Sequence, residues 1–229
     1  MIEPKRIEEN YRRVLGRIAA AAARAGRDPG GVTLVAVTKS VGVEEVRILH
    51  ALGHRDFGEN RIQPARDKIA ATRPLGLRWH MIGHLQRNKV KEALENFALI
   101  HSLDSLRLAE EIERRAAGRG EQRELFVEVN VSGETSKFGL RPDEVVGLLE
   151  VAARLPHLHI TGLMTMAPFS AEAEASRPYF RQLRQLQAAL REKYPDLVHL
   201  SMGMSQDFEV AIEEGADFVR IGTALFAPQ

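Results

Sequence analysis

The sequence predicts an α/β chain folded as a single closed (β/α)8 TIM barrel, with one extra helix ahead of the first strand. Three observations lead there. Eight short apolar, β-branched runs alternate with segments of helical period along 229 residues. That length suits eight β/α units wound around one core. The first run is not followed by the glycine-rich turn that an open, dinucleotide-binding sheet would carry, so the doubly wound sheet is the weaker reading.

The elements follow in order. Residues 5–25 place Ile7, Tyr11, Val14, Leu15, Ile18 and Ala22 at helical spacing, with Gly26 as a stop. The run 32–39 is apolar almost throughout, as in a strand buried on both faces. Val43, Val46, Leu49 and Leu52 mark the next helix, ended by Gly53. Further strands are expected at 56–60, 79–84, 99–103, 125–131, 159–165, 198–202 and 218–221. Among the helices between them, Asp104-Ser105 would cap 106–115, and Pro142 and Pro178 sit in first turns. Ser205 or Asp207 would cap 208–214. Each strand but the last is expected to lead into a helix. No linker or low-complexity stretch divides the chain, so residues 1–229 read as one domain.

Composition narrows the function classes. Lys and Arg total 32 against 31 Asp and Glu, a net charge of +1, which argues against a nucleic-acid or membrane-surface protein. The chain has no cysteine, which excludes disulfides, thiolate metal sites and cysteine nucleophiles. Met1-Ile2-Glu3-Pro4-Lys5-Arg6 shows no apolar signal region, and no apolar run reaches membrane-spanning length. A soluble, cytoplasmic protein is expected.

In a barrel the working end lies where strands finish. Lys39 ends the first run; burial there would disfavour the ammonium, and a neutral amine is what Schiff-base chemistry needs. A lysine that merely surfaces at a strand end is the competing reading. Ser201-Met202-Gly203-Met204-Ser205 and Gly222-Thr223 fall after strands seven and eight, where barrels often bind phosphate. Plain turns with capping residues would look the same. Arg220, at the end of a buried strand, needs a partner. That partner is either a pyridine nitrogen, which a cation keeps unprotonated, or a barrel carboxylate such as Glu59 or Glu128. His80 and His84 share a strand face, but no cysteine or carboxylate cluster joins them to make a metal site. Arg87, Lys89 and Lys91 read as a solvated helix face, and no Gly-x-Ser-x-Gly elbow is present.

A set of motifs then runs through the chain in order: Val37-Thr38-Lys39, Phe57-Gly58-Glu59-Asn60, Trp79-His80-Met81-Ile82-Gly83-His84, Val129-Asn130, Lys137-Phe138-Gly139, Gly162-Leu163-Met164-Thr165-Met166, Leu200-Ser201-Met202-Gly203-Met204-Ser205 and Arg220-Ile221-Gly222-Thr223. In this set, spread over residues 5 to 227, the chain resembles the pyridoxal-phosphate homeostasis protein family, also called the YggS or proline-synthase-co-transcribed family. The resemblance implies a barrel like the N-terminal domain of alanine racemase. It implies pyridoxal 5′-phosphate held as a Schiff base on Lys39, with Arg220 facing the pyridine nitrogen. Ser201, Ser205, Gly222 and Thr223 would hold the phosphate, and Asn60 and His80 would line the ring pocket. The family is regarded as buffering or delivering the cofactor without established turnover, with cofactor-requiring apo-enzymes as recipients. Alanine racemase has a second, β-rich domain supplying a tyrosine acid/base, and this chain is expected to lack it. The expectation is therefore a cofactor carrier, a monomer or weak dimer, and not an enzyme. A racemase-like enzyme acting on a small amino acid is the alternative. A sugar-phosphate barrel enzyme forming a Schiff base through Lys39 is a third.

Overall fold

Eight parallel strands close on themselves in chain order in the computed structural model, which describes residues 2–227. Met1, Pro228 and Gln229, at the ends of the expected domain, lie outside the described residues. The strands are β1 Thr33–Val37, β2 Asp56–Glu59, β3 Arg78–Met81, β4 Leu99–Leu103, β5 Arg123–Glu128, β6 Leu158–Met164, β7 His199–Ser201 and β8 Phe218–Ile221. β8 pairs back onto β1, with Val35 opposite Arg220 and Ala36 opposite Ile221. The helices are α1 Pro4–Arg24, α2 Val43–Ala51, α3 Ile62–Thr72, α4 Val90–Asn96, α5 Leu106–Ala117, α6 Val145–Ala152, α7 Arg177–Leu190, α8 Phe208–Glu213 and α9 Thr223–Phe226. The barrel expected from the sequence is the fold observed.

Strand alternation divides the apolar residues between two cores. One parity of each strand points outward and meets the helices, as Leu34, Ala36, Val219 and Ile221 do. The other parity fills the barrel with Val35, Leu99, Phe126, Met164 and Phe218. Burying each such side chain contributes about 1.5–3 kcal/mol relative to exposure.

α1 explains why the chain opens on a helix. Its apolar stripe, Ile7, Val14, Ile18, Ala21 and Ala22, is buried, and the helix packs against α2, α8 and α9. Asn10 Nδ2 donates to Leu225 O at 3.0 Å, and Arg17 pairs with Glu209 at 2.6 Å. α1 thus stands in the outer position that a full helix after β8 would fill. That last unit departs from expectation: a helix does follow β8, but its four residues are too few to show a helical period.

Several strands stop earlier than expected. β1 ends at Val37 rather than 39, β3 at Met81 rather than 84, and β5 at Glu128 rather than 131. The ladder carries on for one amide, Thr38 N donating to Gly58 O at 3.1 Å and Ile82 N to Glu59 O at 3.0 Å, and then stops. Alternation continues beyond it, so periodicity alone overruns the barrel end.

Gly83 lets the chain turn at that end. A Cβ there would lie 2.3 Å from Asn60 O and 2.8 Å from Asn60 Cα. Gly83→Ala should therefore displace the backbone of Asn60 and destabilise the fold by about 2 kcal/mol or more. Chemical denaturation measures this, and an unchanged midpoint would contradict the close approach.

Candidate functional site

The expected site residues gather at the C-terminal mouth, at two depths. Lys39 and Thr223 are exposed at the rim, and Asn60, Ser205 and Gly222 are half-buried. His80, Ser201 and Arg220 are buried inside the barrel, at 0, 0 and 4% exposure. Lys39 lies in the turn just beyond β1, and Arg220 sits on the adjacent strand β8, opposite Val35. The rim position corrects the expectation of a buried lysine, because β1 ends two residues before it. Among the described residues Lys39 makes no hydrogen bond or ion pair. By contrast, Lys89 pairs with Glu92 at 2.8 Å and Lys137 donates to Met166 O at 3.3 Å.

What holds Lys39 in place lies just beneath it. Thr38 Oγ1 donates to Glu59 Oε1 at 2.6 Å, and Lys68 Nζ donates to both Glu59 Oε1 and Thr38 O, each at 2.6 Å. This buried triad clamps the peptide preceding Lys39 to β2 and α3. It also answers one alternative for Arg220, since Glu59 is committed to Lys68. Lys68 was missed in the sequence. Its signal is a lysine on the apolar stripe Ile62, Ala65, Ile69 and Thr72 of α3.

Arg220 makes no ion pair with Glu128 either. Its Nη1 donates to Ser201 Oγ at 2.6 Å and its Nη2 to Thr165 O at 2.9 Å. Two of five guanidinium N–H groups are thereby used. Burial brings its pKa down to about 10, against the pull of Glu128 and Asp207. Ser201 is likewise engaged, its Oγ lying 2.9 Å from His101 Nδ1. His80 bonds His101 at 3.0 Å and Asp56 at 2.9 Å, so it faces the barrel interior. His84 does not share its strand face: it lies in the loop after β3, 2.9 Å from Asp104 and stacked on Phe138 at 3.9 Å.

The loops after β7 and β8 meet as the sequence suggested. Ser205 Oγ accepts from Ala224 N at 3.2 Å, which brings Ser205 against Gly222 and Thr223. Asp207 organises the turn by accepting from Met204 N at 2.7 Å and Ser176 Oγ at 2.9 Å. Gly203 is required there: its φ is +91°, and a Cβ would lie 2.5 Å from Ala211 Cβ. On the outer side, Asn60, Arg61, His84, Gln86, Lys89 and Phe138 line a cavity of about 460 Å³ beside the mouth. Among the described residues no group of three His, Asp or Glu is placed to hold a metal.

The mouth therefore offers an uncommitted amine, a buried cation, and a hydroxyl- and glycine-lined edge. That set suits a small anion with a group reactive toward amines. Among the buried polar atoms without a partner is Glu128 Oε2, at the end of β5. Burial, with Asp104 adding and Arg220 opposing, raises the Glu128 pKa from 4.5 to about 7. Between those values the folded protein keeps a proton that the unfolded chain has lost, so stability falls as pH rises through this window. Glu128→Gln should consequently gain up to about 3 kcal/mol on the wild type between pH 5 and pH 8. Urea unfolding at both pH values checks this, and an equal difference at the two would contradict it.

Comparison with known proteins places the chain. The family model described as alanine racemase, N-terminal domain, matches residues 2–229. The pyridoxal phosphate homeostasis protein of Aquifex aeolicus is 47% identical over 219 residues, covering 95% of this chain and 96% of that one. Its namesake in Pseudomonas aeruginosa is 46% identical, covering 96% of this chain and 94% of that one. Among solved structures, PipY of Synechococcus elongatus with PLP bound superposes with a TM-score of 0.82 at 38% identity, over 92% of this chain and 100% of its own. Alanine racemase of Corynebacterium glutamicum shares the fold alone, with a TM-score of 0.75 at 16% identity, over 100% of this chain and 62% of its own. These relatives are named for homeostasis rather than for a reaction. On this combined match of sequence and barrel, the chain belongs to the pyridoxal phosphate homeostasis protein family, built on the alanine racemase N-terminal domain.

Proposed function

We propose that this protein binds pyridoxal 5′-phosphate through Lys39 and serves the intracellular homeostasis of that cofactor, by buffering or delivering it. The observation that supports the reading is the pairing of β1 with β8, because the uncommitted Lys39 follows the end of β1 and the buried Arg220 cation lies on β8. When bound, the cofactor supplies an aldehyde that condenses reversibly with an amine. Lys39 is the amine that would hold it. Arg220, a donor-only cation, would face the ring nitrogen and keep it unprotonated. Ser205, Gly222 and Thr223 would take the phosphate, with Asn60 along the ring. His80 and Ser201 would act from beneath, through Arg220, because their polar atoms are engaged inside the barrel.

The protein is read as a single-domain carrier rather than an enzyme. An unprotonated ring nitrogen weakens the cofactor as an electron sink. Membership of a family named for homeostasis supports the same reading. A cytoplasmic monomer or weak dimer handing the cofactor to apo-enzymes completes it. The alternative, a racemase-like enzyme on a small amino acid, draws support from the buried, unpartnered Glu128 oxygen, a group able to move a proton.

Borohydride reduction of the loaded protein should place the pyridoxyl group on Lys39, and Lys39→Ala should lose the visible absorbance band while melting normally. Labelling of Lys89 or Lys137 would overturn the assignment. Pyridoxal, lacking the phosphate, should bind at least about tenfold more weakly, since each charge-assisted hydrogen bond contributes about 1.5–3 kcal/mol. Equal affinity would remove the phosphate reading. With L- or D-alanine in deuterated water, exchange at the α-carbon should stay well below about one per second. Exchange at or above that rate would favour the enzyme.

A further inference from the structure

An unbroken polar run crosses the inside of this barrel, where branched apolar side chains ordinarily fill the layers. Arg220 Nη1 to Ser201 Oγ is 2.6 Å, Ser201 Oγ to His101 Nδ1 2.9 Å, His101 Nε2 to His80 Nδ1 3.0 Å, and His80 Nε2 to Asp56 Oδ1 2.9 Å. Asp56 opens β2, at the end of the barrel away from the mouth, where Arg78 Nε donates to it at 2.5 Å. Burying a cation, a hydroxyl and two imidazoles is costly unless each is bonded, and a half-satisfied network is worse than an apolar one. Here every link is made.

With an ionised Asp56 at one end and neutral rings between, the run has one polarity. Asp56 can only accept, so His80 Nε2 carries the hydrogen. Burial lowers the pKa of His80, despite the nearby Asp56, and lowers that of His101 well below its usual value. Both shifts run toward neutral rings, the form that fixes the direction of the run. His80 Nδ1 is bare and accepts from His101 Nε2–H, which leaves His101 Nδ1 bare as well. Ser201 must donate its single O–H to that nitrogen, and Arg220 donates to the Ser201 oxygen. The donor-only guanidinium at the other end is compatible with this direction, because the Ser201 oxygen can accept from Arg220 while its O–H donates to His101. At the far end, burial works against the Asp56 carboxylate, but hydrogen bonds from His80 and Arg78 outweigh it and hold its pKa below the ordinary value. Aromatic faces fix the rings laterally: Phe126 lies 4.6 Å from His101, and Phe218 lies 6.1 Å from His80.

We propose that Asp56, His80, His101 and Ser201 are positioning residues, a one-way hydrogen-bonded run that holds the Arg220 guanidinium in a single orientation at the mouth from an anchor at the opposite end of the barrel. The polarity of the run stands on the protein alone. Its consequence for the cofactor rests on the proposed function, and the experiment separates the two.

The first arm is long-range 1H–15N NMR of the histidine rings in the full chain without added cofactor. His80 and His101 should both be neutral Nε2–H tautomers at pH 8. An Nδ1–H tautomer or an imidazolium at either ring would overturn the polarity. The second arm loads wild type, Asp56→Asn and Asp56→Ala with pyridoxal 5′-phosphate. Asparagine keeps an acceptor for His80 and should leave the affinity and the absorbance maximum close to wild type. Alanine removes it and should weaken binding by about tenfold, the equivalent of one charged hydrogen bond, while shifting the absorbance maximum. If Asp56→Ala lowers thermal stability but binds with wild-type affinity and spectrum, the run is only packing and the proposal fails. Should Asp56→Ala not fold, Ser201→Ala against Ser201→Thr gives the same comparison, with threonine expected to restore the wild-type spectrum. If wild type does not bind the compound at all, the functional reading fails while the tautomers still decide the polarity.

Discussion

A guanidinium buried on the inner face of β8 is the constraint on which the rest of this structure depends. A charge placed there is tolerated only if its surroundings answer it. No carboxylate pairs with it directly: Glu59 is bound by Lys68 and Thr38, and Glu128 and Asp207 act on it by charge without a hydrogen bond. Arg220 is instead held by a hydroxyl and a carbonyl, both neutral, so its charge has no hydrogen-bonded counter-ion. A cation stabilised this way is prepared for a partner that can only accept. The unprotonated nitrogen of a pyridine is such a partner.

The neighbouring strand supplies the second half of the arrangement. β1 and β8 are adjacent only because the sheet closes, so closure itself puts the unit that carries Lys39 next to the strand that carries Arg220. α1 supports that seam from outside by occupying the space between α8 and α2. The triad of Thr38, Glu59 and Lys68 then fixes the peptide before Lys39. A buried ion pair gives little net stability on its own, and its value here is that it locates the lysine. Rim and interior therefore differ in chemistry. The rim residues keep polar groups free, whereas the interior residues have theirs committed.

The barrel was legible in the sequence because alternation of strand and helix is a long-range pattern that local errors do not erase. Lys39, Arg220 and the Ser205 and Gly222-Thr223 loops were legible because they fall where strands end. The interior was not. His101 sits with Ser102 within the run 99–103 and reads as a polar residue in a buried strand, with nothing local to tie it to Ser201, a hundred residues away. Asp56 reads as a strand-opening residue, and its role appears only when closure sets it beside His80. His80 was grouped with His84 because periodicity overran the end of β3. Ser201 was grouped with Ser205 by nearness in sequence, although one faces inward and the other lies in the following loop. Such errors share a cause: side-chain direction at the barrel mouth is decided by where the ladder stops, which local sequence does not record.

The charge state of the ring beside Arg220 tests this account most directly. The measurement is the 15N chemical shift of the ring nitrogen when the protein is loaded with pyridoxal 5′-phosphate labelled at that atom. The account predicts the shift of an unprotonated pyridine, held constant across neutral pH, because the guanidinium donates and has no lone pair to receive a proton. The shift of a pyridinium would contradict it, and would mean that some other group answers the ring.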